Sequence, residues 1–385
     1  MPKKGNWQKE KFNLKRRNVK REHLWKTNKE IYLLRLAVVT KCNQRCKYCF
    51  IKKTNKTITY SNAQKAINLL LNSKGRDKIL IIYGGEPSLC FSLLKRIIIF
   101  AQKKAASLNK YLIISIGTNG TLLDPSQLIF FKQTDVKLAI SLDGSKKFHN
   151  RARIFRNGRG SFDNIFMKIP LILKYFKKKN LCVLFGVLPS SAYKMYDNLI
   201  YLTNLGFDSI NIEPVQSSQF KWSKKQKKAF LVNLIKIIKH IHKNIHYGKF
   251  IFLNSVNREL KNKRLSIRRN TCPFFENLEV YPEGEIAFSP FLINSENRDQ
   301  YIIGNIKAGL PKKYIFCNFH PNNENCKNCW QDYLGDDNQD YGDSDEILKW
   351  RDDYSIYLSQ KISASSRQQP IFKRYIQEAK KRIFE

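Results

Sequence analysis

Between residues 31 and 245 short apolar runs alternate with helical patterns, and this alternation restricts the fold more than any other feature of the chain. Residues 31–39, 78–83, 111–117, 136–142, 181–188 and 208–212 read as strands. The first is largely apolar, as a strand covered on both faces is. Helices are predicted between them. One has Ser61 and Gln64 as a capping box and runs through Leu71, with Gly75 as its stop signal. Others cover 91–108, a short stretch opened by Asp124-Pro125, 162–178 and 193–204. The last is capped by Ser223 and Gln226, carries an apolar stripe from Phe230 to Ile241, and runs to about Ile245. Six strands joined through helices imply right-handed crossovers and parallel pairing. The expected fold is α/β, a partial (β/α)6 TIM-like barrel, with a doubly wound sheet as the other solution. In both, the loops at the carboxyl ends of the strands carry the site.

Around this core, residues 1–30 form a basic arm with eleven Lys and Arg against three Glu. The expected layout continues with the barrel at 31–250, a linker at 251–271, a small cysteine-bearing domain at 272–345 and C-terminal helices at 346–385. Lys and Arg total 70 against 31 acidic residues, a formal charge of +39. That excess suits nucleic acid, another anionic partner or a coding bias toward Lys, Ile and Asn, and by itself does not choose among them. Aromatic residues at 12% exclude an acidic disordered chain. No run approaches ~18 apolar residues, so no membrane span is expected, and no signal peptide follows the basic N-terminus. The odd count of nine cysteines, clustered at short spacing, argues against a secreted disulfide framework and for a cytoplasmic, metal-binding chain.

The chemistry gathers at the strand ends. After the first strand stands Cys42-Asn43-Gln44-Arg45-Cys46-Lys47-Tyr48-Cys49. Three thiolates on one loop can hold three irons of a [4Fe–4S] cube and leave the fourth iron open. The competing reading, a structural zinc knuckle, needs a fourth ligand, and His23 and His149 are distant in sequence. Tyr83-Gly84-Gly85-Glu86-Pro87 ends the second strand, Thr118-Asn119-Gly120-Thr121 the third and Ser141-Leu142-Asp143-Gly144 the fourth. Arg153 and the Gly158/Gly160 loop follow. All of these fall on one rim of the expected barrel. Cys90 and Cys182 read as core packing. His240, His242 and His246 read as part of a basic helix face.

These motifs, together with the His149-to-Phe162 segment, resemble the radical S-adenosylmethionine (radical SAM) superfamily, in its peptide- and protein-modifying branch with a SPASM or Twitch extension. The resemblance implies that Cys42, Cys46 and Cys49 bind a [4Fe–4S] cluster whose open iron takes the amino and carboxylate groups of S-adenosylmethionine. It implies that Tyr48 lies against the adenine and that Gly84, Gly85 and Glu86 hold the methionine amino group. Asn119, Ser141 and Asp143 would line the ribose and methionine side, and Arg153 would pair with the carboxylate, which its planar fork suits. The family's reaction is reductive cleavage of the cofactor to a 5′-deoxyadenosyl radical that abstracts a substrate hydrogen.

The C-terminal region tracks a degenerate SPASM/Twitch layout, with Ser289 where the family's second cysteine would fall. Cys272, Cys317, Cys326 and Cys329 supply four thiolates, enough for one auxiliary [4Fe–4S] cluster or one zinc, with a degenerate metal-free domain as the remaining alternative. The implied activity is maturation of a ribosomally made peptide by cross-linking or oxidation. A sulfatase-type formylglycine maturase, an RNA-modifying radical SAM enzyme and a non-enzymatic iron–sulfur or zinc protein that binds nucleic acid are the alternatives. The implied partners are a peptide or protein substrate, an electron donor such as flavodoxin or ferredoxin, and a separate leader-peptide recognition protein. Nucleic acid is the minority partner.

Overall fold

The computed structural model describes residues 30–215, 219–261, 277–287, 302–310 and 345–382. Seven strands run parallel in chain order: β1 Leu33–Val39, β2 Asp77–Gly84, β3 Tyr111–Thr118, β4 Lys137–Ser141, β5 Leu181–Val187, β6 Ser209–Pro214 and β7 Phe252–Leu253. Between them lie α1 Tyr60–Leu71, α2 Phe91–Ser107, α3 Pro125–Gln133, α4 Lys146–His149, α5 Phe162–Phe166, α6 Ile169–Tyr175, α7 Met195–Asn204 and α8 Lys224–His246. The chain continues with α9 Asn254–Lys261, β8 Asn277–Val280, β9 Glu285–Ala287, β10 Ile302–Asn305, α10 Asp345–Ser365 and α11 Pro370–Ala379. The sheet is open, in the order β10-β9-β8-β1-β2-β3-β4-β5-β6-β7.

The two faces of each strand differ in chemistry because successive side chains alternate. Leu34, Leu36, Leu80, Ile82, Ile114, Ile116, Leu138, Ile140, Val183 and Phe185 are buried in the main core. The intervening positions Arg35, Ile81, Ser115, Ala139, Cys182 and Asn211 line one internal cavity instead. Six strands contribute to that cavity, so the sheet curls around it as an incomplete barrel.

Several local expectations are corrected. Thr59, not Ser61, caps α1, its hydroxyl accepting from the Asn62 amide at 3.2 Å. The predicted single helix over 162–178 is two short ones, since Pro170 opens a new first turn and cannot donate into a preceding one. The capping box at Ser223 and Gln226 is present in both directions. Residues 252–261, expected within a linker, form β7 and α9 and bury Phe252, Val256 and Leu260.

The region after residue 272 is continuous with the main sheet where it is described. β8 pairs in parallel with β1, and β9 and β10 extend it antiparallel. Cys272, Ser289, Cys317, Cys326 and Cys329 lie outside the described residues. The two C-terminal helices also belong to the main body. Tyr375 donates to the Ile251 carbonyl at 2.8 Å, and Arg382 pairs with Asp208 at 3.2 Å. Phe372 is fully buried, with the rings of His242 and His246 at 5.4 and 4.8 Å. Two of the three helix histidines therefore pack on the Phe372 ring, and His240 packs on the ring of Tyr196 and meets its hydroxyl at 3.0 Å. No described helix is long and apolar enough to cross a membrane.

Phe372→Ala removes a fully enclosed ring, so the chain should lose about 3–5 kcal/mol of stability. Urea unfolding checks this. A midpoint equal to that of the parent would mean that α11 is an appendage.

Candidate active site: three thiols and a clamped carboxylate

The cysteine loop leaves β1 at Val39 and is tied to the end of β2 where it starts. The Gly85 amide donates to the Val39 carbonyl at 2.6 Å and the Glu86 amide to the Lys41 carbonyl at 2.9 Å. This close approach demands glycine: a Cβ on Gly84 would sit 2.2 Å from the Val39 carbonyl oxygen, and one on Gly85 2.1 Å from that of Lys41. Further on, the Arg45 and Lys47 amides donate to the carbonyls of Ile154 and Ala152 at 2.7 and 3.0 Å. Loop and post-β4 segment are thus zipped together.

A cavity of about 530 Å³ opens beneath this loop. Cys42, Cys46 and Cys49 line it, and none is in a disulfide. The thiol groups already have donors that suit thiolates. Cys42 Sγ accepts from the Gln44 amide at 3.3 Å, and Lys53 Nζ lies 3.0 Å from Cys49 Sγ. Burial raises the Cys42 thiol and pushes that of Cys46 up to about 11, with the Arg153 charge pulling Cys46 back. No three His, Cys, Asp or Glu side chains among the described residues are arranged to hold a single metal ion. Three free thiols lining one cavity are the donor set that a cluster taking one thiolate per iron uses.

Of the residues that the resemblance assigns to the cofactor, Tyr48, Gly84, Gly85, Asn119, Ser141 and Arg153 line the same cavity. Glu86 and Asp143 do not. The Glu86 carboxylate is fully buried and accepts from Ser88 N at 3.0 Å, Thr118 Oγ1 at 2.7 Å and Asn119 N at 2.8 Å. It braces the end of β2 against the end of β3. Burial raises its pKa, and these donors oppose the rise. Asn119 in turn donates to Asn43 Oδ1 at 2.8 Å, which carries the brace to the cysteine loop.

Asp143 is the second brace. Its Oδ2 accepts from Tyr48 Oη at 2.5 Å and Arg153 Nε at 2.9 Å, and its Oδ1 from the Gly186 amide at 2.9 Å. The Arg153 guanidinium lies 5.3 Å from the centre of the Tyr48 ring. The Asp143 amide donates to His149 Nδ1 at 3.3 Å, and His149 Nε2 meets Ser161 Oγ at 3.0 Å. Burial holds His149 well below its usual 6.5, so the ring is neutral. Tyr48 is pushed well up by burial and keeps its proton.

Sequence reasoning missed the lower half of the cavity. Arg35, Ser115 and Cys182 line it, as do Asn211, Glu213 and Arg351. Cys182, expected as core packing, is buried yet faces the cavity, whereas Cys90 does pack against the core. Arg351 comes from α10 and pairs with Glu213 at 3.1 Å. Period-two polar residues within otherwise apolar strands were the available signal. Glu279 on β8 is fully buried beside Arg35, with neither carboxylate oxygen hydrogen-bonded among the described residues, and burial raises it well above the carboxylate range.

Residues 36–199 match the profile of the Radical SAM superfamily. The chain carries a radical SAM domain over those residues. That superfamily uses a [4Fe–4S] cluster with S-adenosylmethionine. Over 330 residues the chain is 27% identical to the cysteine-type anaerobic sulfatase-maturating enzyme of Clostridium novyi, spanning 78% of this chain and 85% of that one. It is 24% identical over 191 residues to the radical SAM cyclopropyl synthase TigE of Paramaledivibacter caminithermalis, 45% of this chain and 38% of that one. Among solved structures, anSMEcpe with bound AdoMet superposes with a TM-score of 0.62 at 21% identity, covering 74% of this chain and 81% of that one. These likenesses establish the incomplete barrel as the shared fold.

Asp143→Ala strands the buried Arg153 guanidinium without a partner and should cost about 3–5 kcal/mol, read by urea unfolding. His149 stays neutral in the fold but protonates in the unfolded chain near 6.5. The unfolded state therefore binds more protons below that value, and stability falls as pH drops from 7 to 5. His149→Gln should flatten that pH dependence. An unchanged slope would exclude His149 as its source.

Proposed function

We propose that this chain is a maturase that modifies a peptide or protein side chain by radical chemistry. The observation that carries this reading is the convergence of three free thiols, the Gly84-Gly85 backbone and the Tyr48–Asp143–Arg153 clamp on one cavity. Its volume lies within the ~300–1,000 Å³ of small-molecule sites. Bound there, the cluster and S-adenosylmethionine supply one-electron, hydrogen-abstracting chemistry.

In this reading Cys42, Cys46 and Cys49 hold the cluster. Gly84 and Gly85 offer backbone to the cofactor's amino group, and the Arg153 guanidinium faces its carboxylate. Tyr48 lies against the adenine; Asn119 and Ser141 line the ribose side. Glu86 and Asp143 act one step removed, as positioning residues that fix the strand ends and orient Tyr48 and Arg153. The lower lumen, with Arg35, Ser115 and Asn211, receives the substrate side chain away from bulk water. Cys272, Cys317, Cys326 and Cys329 form one auxiliary [4Fe–4S] site.

Relatives support the substrate class. One structure of similar fold is anSMEcpe with a bound Cp18Cys peptide, and another, SuiB at a TM-score of 0.50 and 15% identity, is bound to its precursor peptide SuiA. A sulfatase-type maturase is the second reading, favoured by the extent of the match to the Clostridium novyi enzyme. The reduced thiols of the site suit the cytoplasm. A separate leader-peptide recognition protein would present the substrate.

After anaerobic reconstitution and reduction, the chain should form 5′-deoxyadenosine from S-adenosylmethionine, and Cys46→Ala should form none. Product surviving that substitution would sink the assignment. A Cys42/Cys46/Cys49 triple alanine variant should retain about four irons if the auxiliary site is a cube. Iron near zero would remove the auxiliary cluster.

A further inference from the structure

We propose that Lys53 is a positioning residue of the thiol site: its ammonium donates to the Cys49 sulfur and thereby raises the reduction potential of the cluster that the loop binds. The proposal rests on Cys42, Cys46 and Cys49 being the cluster ligands. Lys53 is half-buried, lines the same cavity as the three thiols, and places Nζ 3.0 Å from Cys49 Sγ. Its backbone is held there because the loop closes on itself. Past Lys53 the chain returns to the end of β1. There the Thr40 amide donates to the Lys56 carbonyl at 2.8 Å, the Ile58 amide donates to the Val38 carbonyl at 2.9 Å, and the hydroxyls of Thr40 and Thr54 meet at 3.0 Å.

No carboxylate answers this cation. Arg153 and Arg351 line the same cavity, and each is matched, by Asp143 at 2.9 Å and by Glu213 at 3.1 Å. Among the described residues Lys53 takes part in no ion pair. Residues 41–58 contain neither Asp nor Glu. The sulfur that Lys53 faces becomes anionic when Cys49 binds iron, so the contact is then a charge-assisted hydrogen bond. The same charge reaches Cys42, whose thiol it pulls down against the rise that burial imposes.

Hydrogen bonds to the ligand sulfurs and the net charge of the site are two of the quantities that set the potential of an iron–sulfur cluster. In the step concerned, one electron passes from an external low-potential reductant, which is oxidised, to the cluster, which is reduced. The cluster gains one unit of negative charge, Lys53 keeps its proton, and no covalent bond forms or breaks. A fixed ammonium in a half-buried, weakly screened site attracts that extra charge and favours the reduced cluster over the oxidised one. The three sulfurs are thus served unequally. Cys49 has a free-standing ammonium, Cys42 has the Gln44 amide, and the charge beside Cys46 is that of Arg153, already clamped by Asp143.

The test is an anaerobic potentiometric titration of the reconstituted full chain with dithionite, the reduced cluster being read by electron paramagnetic resonance. The signal that changes shape when S-adenosylmethionine is added at the end identifies the three-cysteine cluster. At the parent's midpoint potential Lys53→Met should hold a reduced-to-oxidised ratio at least about tenfold lower, a downward shift of ~59 mV for one electron. Lys53→Arg keeps the charge and should stay close to the parent. Lys52→Met removes the same charge from an exposed position on the same loop and should also stay close to the parent. Equal shifts in Lys52→Met and Lys53→Met would make net charge the cause and overturn the proposal. An unchanged potential in Lys53→Met together with weaker binding of S-adenosylmethionine would reassign Lys53 to the cofactor and overturn it as well. If Lys53→Met fails to hold iron, Lys53→Gln, which keeps a neutral N–H donor, should shift the potential in the same direction by less, and no shift would overturn the proposal. A parent without any signal sensitive to S-adenosylmethionine would instead sink the cluster reading underneath.

Discussion

The Asp143 carboxylate is the interaction on which the rest of the site depends. It takes donors from three separate parts of the chain: Tyr48 of the cysteine loop, Arg153 of the segment after β4 and the Gly186 amide of β5. A buried anion of this kind is stable only while all its donors are in place. The loop, the strand and the arginine are therefore positioned together or not at all. Glu86 does the same at the ends of β2 and β3, so two acidic groups that never touch the cavity define its upper wall.

The framework was readable because parallel strands buried under helices leave a strong apolar signal, and because caps and turn glycines punctuate it. Both C-terminal helices and the capping box at Ser223 followed from such signals. The spacing of Cys42, Cys46 and Cys49 marked one loop, and the structure brings all three thiols to one cavity. Gly84 and Gly85 were expected near a ligand. What a side chain at either position would strike, at 2.2 and 2.1 Å, is a backbone carbonyl where the cysteine loop leaves β1.

What escaped sequence reasoning was set by tertiary geometry. Glu86 and Asp143 sit in the expected motifs, but a motif does not say whether a carboxylate faces a ligand or its own scaffold. The pairing of Arg351 with Glu213 spans distant parts of the chain, so no local pattern could announce it. Residues 252–261 looked polar and linker-like. Their few apolar positions nevertheless extend the sheet beside β6, where β7 is only two residues long. Alternation along the strands was the overlooked clue, since Ser115 and Asn211 interrupt apolar runs at lumen-facing positions.

The parallel pairing of β8 with β1 has a consequence for how the chain is made. Leu33 is among the first residues of the barrel to be synthesised, whereas its partner Asn277 emerges only after all seven parallel strands. Throughout that interval the outer edge of β1 presents unpaired backbone groups, and the cysteine loop hangs from the same strand. An edge of that kind is a template for wrong pairing. Contacts of such long sequence separation also form late. The cysteine loop is thus complete on a nascent chain long before the edge of the strand it hangs from is closed by β8.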